Sequence, residues 1–95
     1  MSTEVSKTSY GNYSSSNYGA HCMAIKVGSL TLWFSYDTVV AFRSPKNGFC
    51  ITKNYWGPTT GKHLNWIHPN KDIRLDGEDF DTRLKEALAY HRLEV

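Results

Sequence analysis

"KVGSLTLWFSYDTVVAFR" (residues 26–43) decides the fold of this chain. Leu30, Leu32, Phe34 and Tyr36 fall on one side of an extended backbone, and Thr31, Trp33 and Ser35 on the other. A period of two marks a half-buried β-strand. Before this run, Met23, Ile25 and Val27 share a face, and only Gly28-Ser29 intervenes, which suits a two-residue hairpin turn. After it, Asp37 tolerates a left-handed turn. "TVVAFR" (38–43) then carries the β-branched and aromatic residues of a further strand. "SPKNG" (44–48) reads as a second hairpin loop, and "FCITK" (49–53) as the last strand.

Toward the C-terminus the period changes. Phe80, Leu84, Ala87, Leu88 and His91 form one helical stripe, and Asp76, Glu78 and Asp79 sit where a helix dipole favours anions. Asp79/Arg83 and Asp81/Lys85 are spaced for i,i+4 pairs. A helix over about 77–92 follows, and its stripe must cover the meander, because a lone sheet this small is marginal. Between sheet and tail lies "YWGPTTGKHLNWIHPN" (55–70). Pro58 suits a first turn, Thr59 or Thr60 can cap, Leu64 and Ile67 face inward, and Pro69 ends a short helix over 59–68.

The expected architecture is α+β: an antiparallel three- to four-stranded β-meander with a short helix and a C-terminal helix packed on one face. Ninety-five residues make one small domain with one core. Residues 1–19, rich in Ser, Tyr, Asn and Gly and almost free of aliphatic side chains, are expected to be disordered, and 20–95 to form the domain. No apolar run reaches the length of a membrane helix, and no apolar signal segment opens the chain, so a cytoplasmic protein without membrane contact is expected. Cys22 and Cys50 then read as reduced core thiols.

Charge is unevenly placed. From Thr38 to Lys71 there is no Asp or Glu, whereas Arg43, Lys46, Lys53, Lys62 and Lys71 fall there with Phe42, Phe49, Tyr55, Trp56 and Trp66. The final twenty residues hold six acids and three bases, a local balance of −3. Cations interleaved with aromatics are what a nucleic-acid surface needs, since phosphates take charge and bases take stacking faces. They equally describe a solvated basic face over core aromatics. "GPTTGK" fails the spacing of an ATP-binding phosphate loop, because Gly57 and Gly61 enclose three residues where four are required. It still offers free N–H groups at a helix start, with Lys62 beside them; the plainer reading is that Thr60 caps, Gly61 permits close packing and Lys62 is solvated.

His63 and His68 are five residues apart, and the two cysteines lack a ligand spacing, so no metal and no other cofactor is expected. Phosphate-ester chemistry through His63, Lys62 and Thr60 has no supporting triad. The candidate binding residues are Arg43, Lys53, Trp56, Thr59, Thr60, Lys62, His63 and Asn65.

The segments "NYGAH", "FSYDTVVAF" and "YWGPTTGKHLNWI" together resemble a small uncharacterised domain family that recurs in phage, prophage and other mobile-element genomes. The resemblance spans about 17–82, with a Ser-Tyr-x-Thr turn leading into Val-Ala-Phe and then Thr-Thr-Gly-Lys-His-Leu-Asn. It implies a viral or mobile-element accessory protein and marks Ser35, Tyr36, Thr38, Thr59, Thr60, Gly61, Lys62, His63 and Asn65. A motif of this polarity implies either a site or a buried hydrogen-bond network that fixes helix to sheet. Two functions are carried forward: an accessory binding protein contacting nucleic acid or a host nucleoprotein, and a protein-binding inhibitor or adaptor anchored by Trp33 and the tyrosine-rich start.

Overall fold

A computed structural model of the chain describes residues 5–10 and 22–90. Five antiparallel strands lie in sequence order: β1 (Val5–Ser9), β2 (Met23–Val27), β3 (Leu30–Ser35), β4 (Thr38–Ser44) and β5 (Gly48–Ile51). Helix α1 (Pro58–Ile67) and helix α2 (Gly77–Tyr90) follow, with a 3-10 turn at Lys71–Ile73 between them. The mixed α+β architecture with a C-terminal helix is as expected, with one strand more.

The added strand is β1, inside the segment expected to lack order. It pairs with β2 from Val5↔Val27 to Ser9↔Met23, and the Tyr10 N–H continues the ladder to the Cys22 carbonyl at 3.0 Å. The sequence argument weighed apolar side chains; backbone bonds to a free strand edge need none. The expected contact of Tyr18 and Gly19 lies outside the described residues, as do His21 and His91.

Among the described residues, glycine serves two of the three hairpin turns, Gly28 at φ 59° and Gly48 at φ 70°. In the third the left-handed residue is Tyr36 at φ 55°, not Asp37. That conformation is uncommon for a bulky side chain and costs about 1–2 kcal/mol. The β3–β4 register shifts where Trp33 faces Ala41 and Phe34 faces Val39. Val40 is the extra residue of this bulge, so Val40 and Ala41 in succession serve the same side of the sheet.

Strand alternation produces two cores. Leu30, Leu32, Val39, Phe42 and Cys50 pack with Phe80, Ala87 and Leu88 of α2. Val40, Ala41 and Ile51 pack with Leu64 of α1, flanked by Trp33, Phe49 and Ile67. The helices therefore cover opposite faces of the sheet. Cys22 and Cys50 are buried. After α1 the chain returns beside β5, where Leu75 N–H meets Ile51 O at 2.8 Å and Lys53 N–H meets Leu75 O at 2.9 Å.

Candidate functional site

Helix α1 runs across its face of the sheet from the β3–β4 turn toward the β4–β5 hairpin. Its first turns meet Ser35, and its end places His68 5.7 Å from the Phe49 ring. Pro58 occupies the first turn as expected, but neither threonine caps. Gly57 holds the cap position without a side-chain bond, and Thr60 is turned into the sheet.

There Thr60 Oγ1 lies 2.9 Å from Ser35 Oγ, and Ser35 Oγ lies 2.7 Å from His63 Nδ1. All three residues are buried, and His63 is 0% exposed. Aromatic rings surround the imidazole: Tyr36 at 5.8 Å, Trp66 stacked at 5.8 Å, and Tyr10 edge-on at 6.2 Å. The Tyr10 hydroxyl donates to the Phe34 carbonyl at 2.6 Å, so the strand before β2 is tied across the sheet to β3. Burying hydroxyls and an imidazole is costly unless they bond one another, and here they do.

Thr60 and His63 are thus removed from the surface expected of them. A helix turns every fourth side chain to the same side, so residues three apart, such as 60 and 63, face the sheet while 59, 62 and 65 face outward. Thr59, Lys62 and Asn65 are exposed on that outer side. Asn65 Oδ1 accepts from Arg74 Nη2 at 3.0 Å, which brings a cation absent from the candidate set onto the α1 layer. The Arg74 Nε is buried without a partner, the one such side-chain atom among the described residues.

Arg43 is exposed at the far end of the layer, its guanidinium carbon 5.6 Å from the Phe49 ring centroid. Lys53 is exposed but bonded to Asp76 at 2.6 Å, and that hydrogen bond, with the carboxylate's charge, raises its pKa. Trp56 is exposed just ahead of α1. Structure therefore groups Thr59, Lys62 and Asn65 on one helix face, with Arg43 and Trp56 at its two ends; it separates Thr60 and His63 beneath, and neutralises Lys53. Trp33, expected as an exposed anchor, is half-buried edge-on against Phe49 at 5.6 Å.

A family model described as "Family of unknown function (DUF8033)" matches residues 3–82. The chain belongs to this family. No curated protein and no solved structure matches it.

The DUF8033 match includes β1, both halves of the buried network and all of the outer α1 surface. Chemically, the Ser35–His63 contact in this DUF8033 chain has the reach of a nucleophile–base pair. A nucleophile must also meet its substrate, and Ser35 is 3% exposed beneath α1. Among the described residues no three His, Cys, Asp or Glu side chains form a metal-ligand set. No helix of the described residues is long and apolar enough to cross a membrane. Tyr10 and Arg74 were missed by sequence reasoning, while Tyr36 was marked by the resemblance and Trp66 was read as one aromatic of the acid-free span. The signal that could have placed Trp66 beside the imidazole is its i+3 spacing from His63.

Proposed function

We propose that this protein is a non-enzymatic accessory binding protein of phage type, working in the host cytoplasm, that contacts nucleic acid or a host nucleoprotein through the outer surface of the α1 layer. The carrying observation is a segregation of charge. Residues 38–71 hold no carboxylate, and α1 presents Lys62 outward between Arg43 and Trp56. Among the described residues, Lys46 and Lys53 are the cations within 4.0 Å of a carboxylate, and both partners, Glu86 and Asp76, belong to the acidic α2 segment or its approach. Arg43 and Lys62 keep their charge for a ligand. Phosphate contact releases counterions, so affinity rises as salt falls. Titrating labelled oligonucleotides from high to low salt tests this: binding that strengthens steadily supports the reading, and no binding at the lowest salt ends it.

A protein-binding inhibitor or adaptor is the second reading. It is favoured by the exposed pair Tyr55 and Trp56, which replaces Trp33 as the anchor. A host protein retained on the immobilised chain after nuclease treatment, and lost with Trp56→Ala, separates the two.

A further inference from the structure

The nucleic-acid reading does not say which form of nucleic acid is bound, and the aromatic residues of the acid-free span bear on that choice. Most of them are consumed by packing. Phe42 meets Phe80 in the α2 core at 5.5 Å, Trp33 and Phe49 meet edge-on, and Trp66 stacks on His63. Tyr55 and Trp56 differ, at 58% and 51% exposed.

The Tyr55 ring and the backbone that carries Trp56 are held in place although no core covers them. The Trp56 N–H donates to Asn54 Oδ1 at 2.9 Å, and Asn54 Nδ2 donates to the Gly57 carbonyl at 3.0 Å, closing the loop around the tryptophan. Asn54 sits against α1 where residue 61 is glycine; a Cβ there would lie 3.1 Å from Asn54 Nδ2. The Tyr55 hydroxyl accepts from the Gly77 N–H at 2.9 Å, and a Cβ on Gly77 would come within 3.3 Å of the Tyr55 ring. Tyr55 and Trp56 meet edge to face at 6.1 Å rather than stacking on each other. Side-chain and backbone bonds on both flanks thus fix the loop that carries the tryptophan in advance of any ligand, which lowers the ordering cost of binding.

Charge completes the picture. Asp76, which precedes the Gly77 bonded to Tyr55, is matched by Lys53. Lys62 projects from the outer side of α1 two turns further on. A paired duplex hides its base faces in its own stack, whereas a single strand offers them.

Resting on the nucleic-acid reading, we infer that the ligand is single-stranded nucleic acid, with Trp56 as the base-stacking platform and Lys62 as a contact to the adjoining phosphate. The test is fluorescence anisotropy with short labelled oligo-dT and oligo-U strands and with a duplex of equal length, over a salt series. Wild type, Trp56→Ala, Trp56→Phe and Lys62→Ala are compared after circular dichroism confirms folding. Single strands bind about tenfold or more tighter than duplex, and Trp56→Ala weakens them by a similar factor while Trp56→Phe largely restores binding. Lys62→Ala lowers the slope of log affinity against log salt by about 0.7, and Trp56→Ala leaves that slope in place. Duplex bound as tightly as single strand, or Trp56→Ala without effect while Lys62→Ala lowers the slope, overturns the single-strand platform and leaves the broader reading standing. Absence of all binding at the lowest salt overturns both.

Discussion

The two faces of this sheet are built by different chemistry. On the α2 face, Leu30, Leu32, Val39, Phe42 and Cys50 meet Phe80, Ala87 and Leu88 in an apolar core, where the Cys50 thiol alone reaches polar neighbours, Asn47 and Arg83. On the α1 face the apolar core is four buried residues, and Ser35, Thr60 and His63 bond to one another beside it. An apolar face holds a helix through area removed from water and is indifferent to small rotations. A hydroxyl–imidazole network is directional, so it fixes which side of α1 points outward. The difference teaches that the polarity of "TTGKH" serves two ends: Thr60 and His63 orient the helix, and orientation puts Lys62 in solvent.

Substitutions can break or sharpen that contrast. The largest effect belongs to the apolar face: Phe80→Ala, at a 2% exposed position, costs about 3–5 kcal/mol in urea unfolding. A cost near that of a surface change would mean α2 does not hold the sheet. Ser35→Ala removes the hydroxyl that both Thr60 and His63 contact, and costs about 1–3 kcal/mol through desolvated polar groups left behind. An unchanged midpoint would reduce the network to coincidence of position. Tyr10→Phe deletes the bond to the Phe34 carbonyl and is expected to cost about 0.5–1.5 kcal/mol. Its amide-exchange signature, faster exchange along β1 with α2 untouched, localises the loss to the β1 edge.

The smallest effect is a pH dependence on the α2 face. Burial pushes the Cys50 thiol up, against the opposing charge and hydrogen bond of Arg83. The native state therefore holds that proton to higher pH than the unfolded chain does. The linked stability is fully present below the ordinary thiol pKa and declines as pH rises through the range between the unfolded and folded values. Cys50→Ser, compared with wild type across alkaline pH, should flatten that decline; an identical decline in the variant assigns it elsewhere.

The strands from β2 to β5 and helix α2 were legible in the sequence because side-chain periodicity and burial coincide there. Trp33 and Leu32 alternate as read, and the Phe80–Leu88 stripe packs as read. Strand β1 was not legible, since its order comes from pairing Val5–Ser9 with β2 and not from an apolar pattern. The turn at Tyr36 was placed one residue late, because its left-handed residue is a tyrosine where Asp37 offered the better local signal. The candidate set was half legible. Spacing alone could have divided 59, 62 and 65 from 60 and 63, but which half faced the sheet depended on Ser35, twenty-eight residues from His63 along the chain. Arg74 reaches Asn65 only through the return strand beside β5, a tertiary path that no local pattern announces.

The central claim is that the inner half of α1 holds the fold while its outer half meets the ligand. The salt dependence of oligonucleotide affinity for Lys62→Ala and Ser35→Ala, both measured well below their unfolding midpoints, tests this most directly. The account expects Lys62→Ala to bind more weakly with a shallower slope, and folded Ser35→Ala, which keeps Lys62, to retain binding with the wild-type slope. Loss of binding in folded Ser35→Ala, with Lys62→Ala unchanged, would contradict it and move the site to the buried hydroxyls.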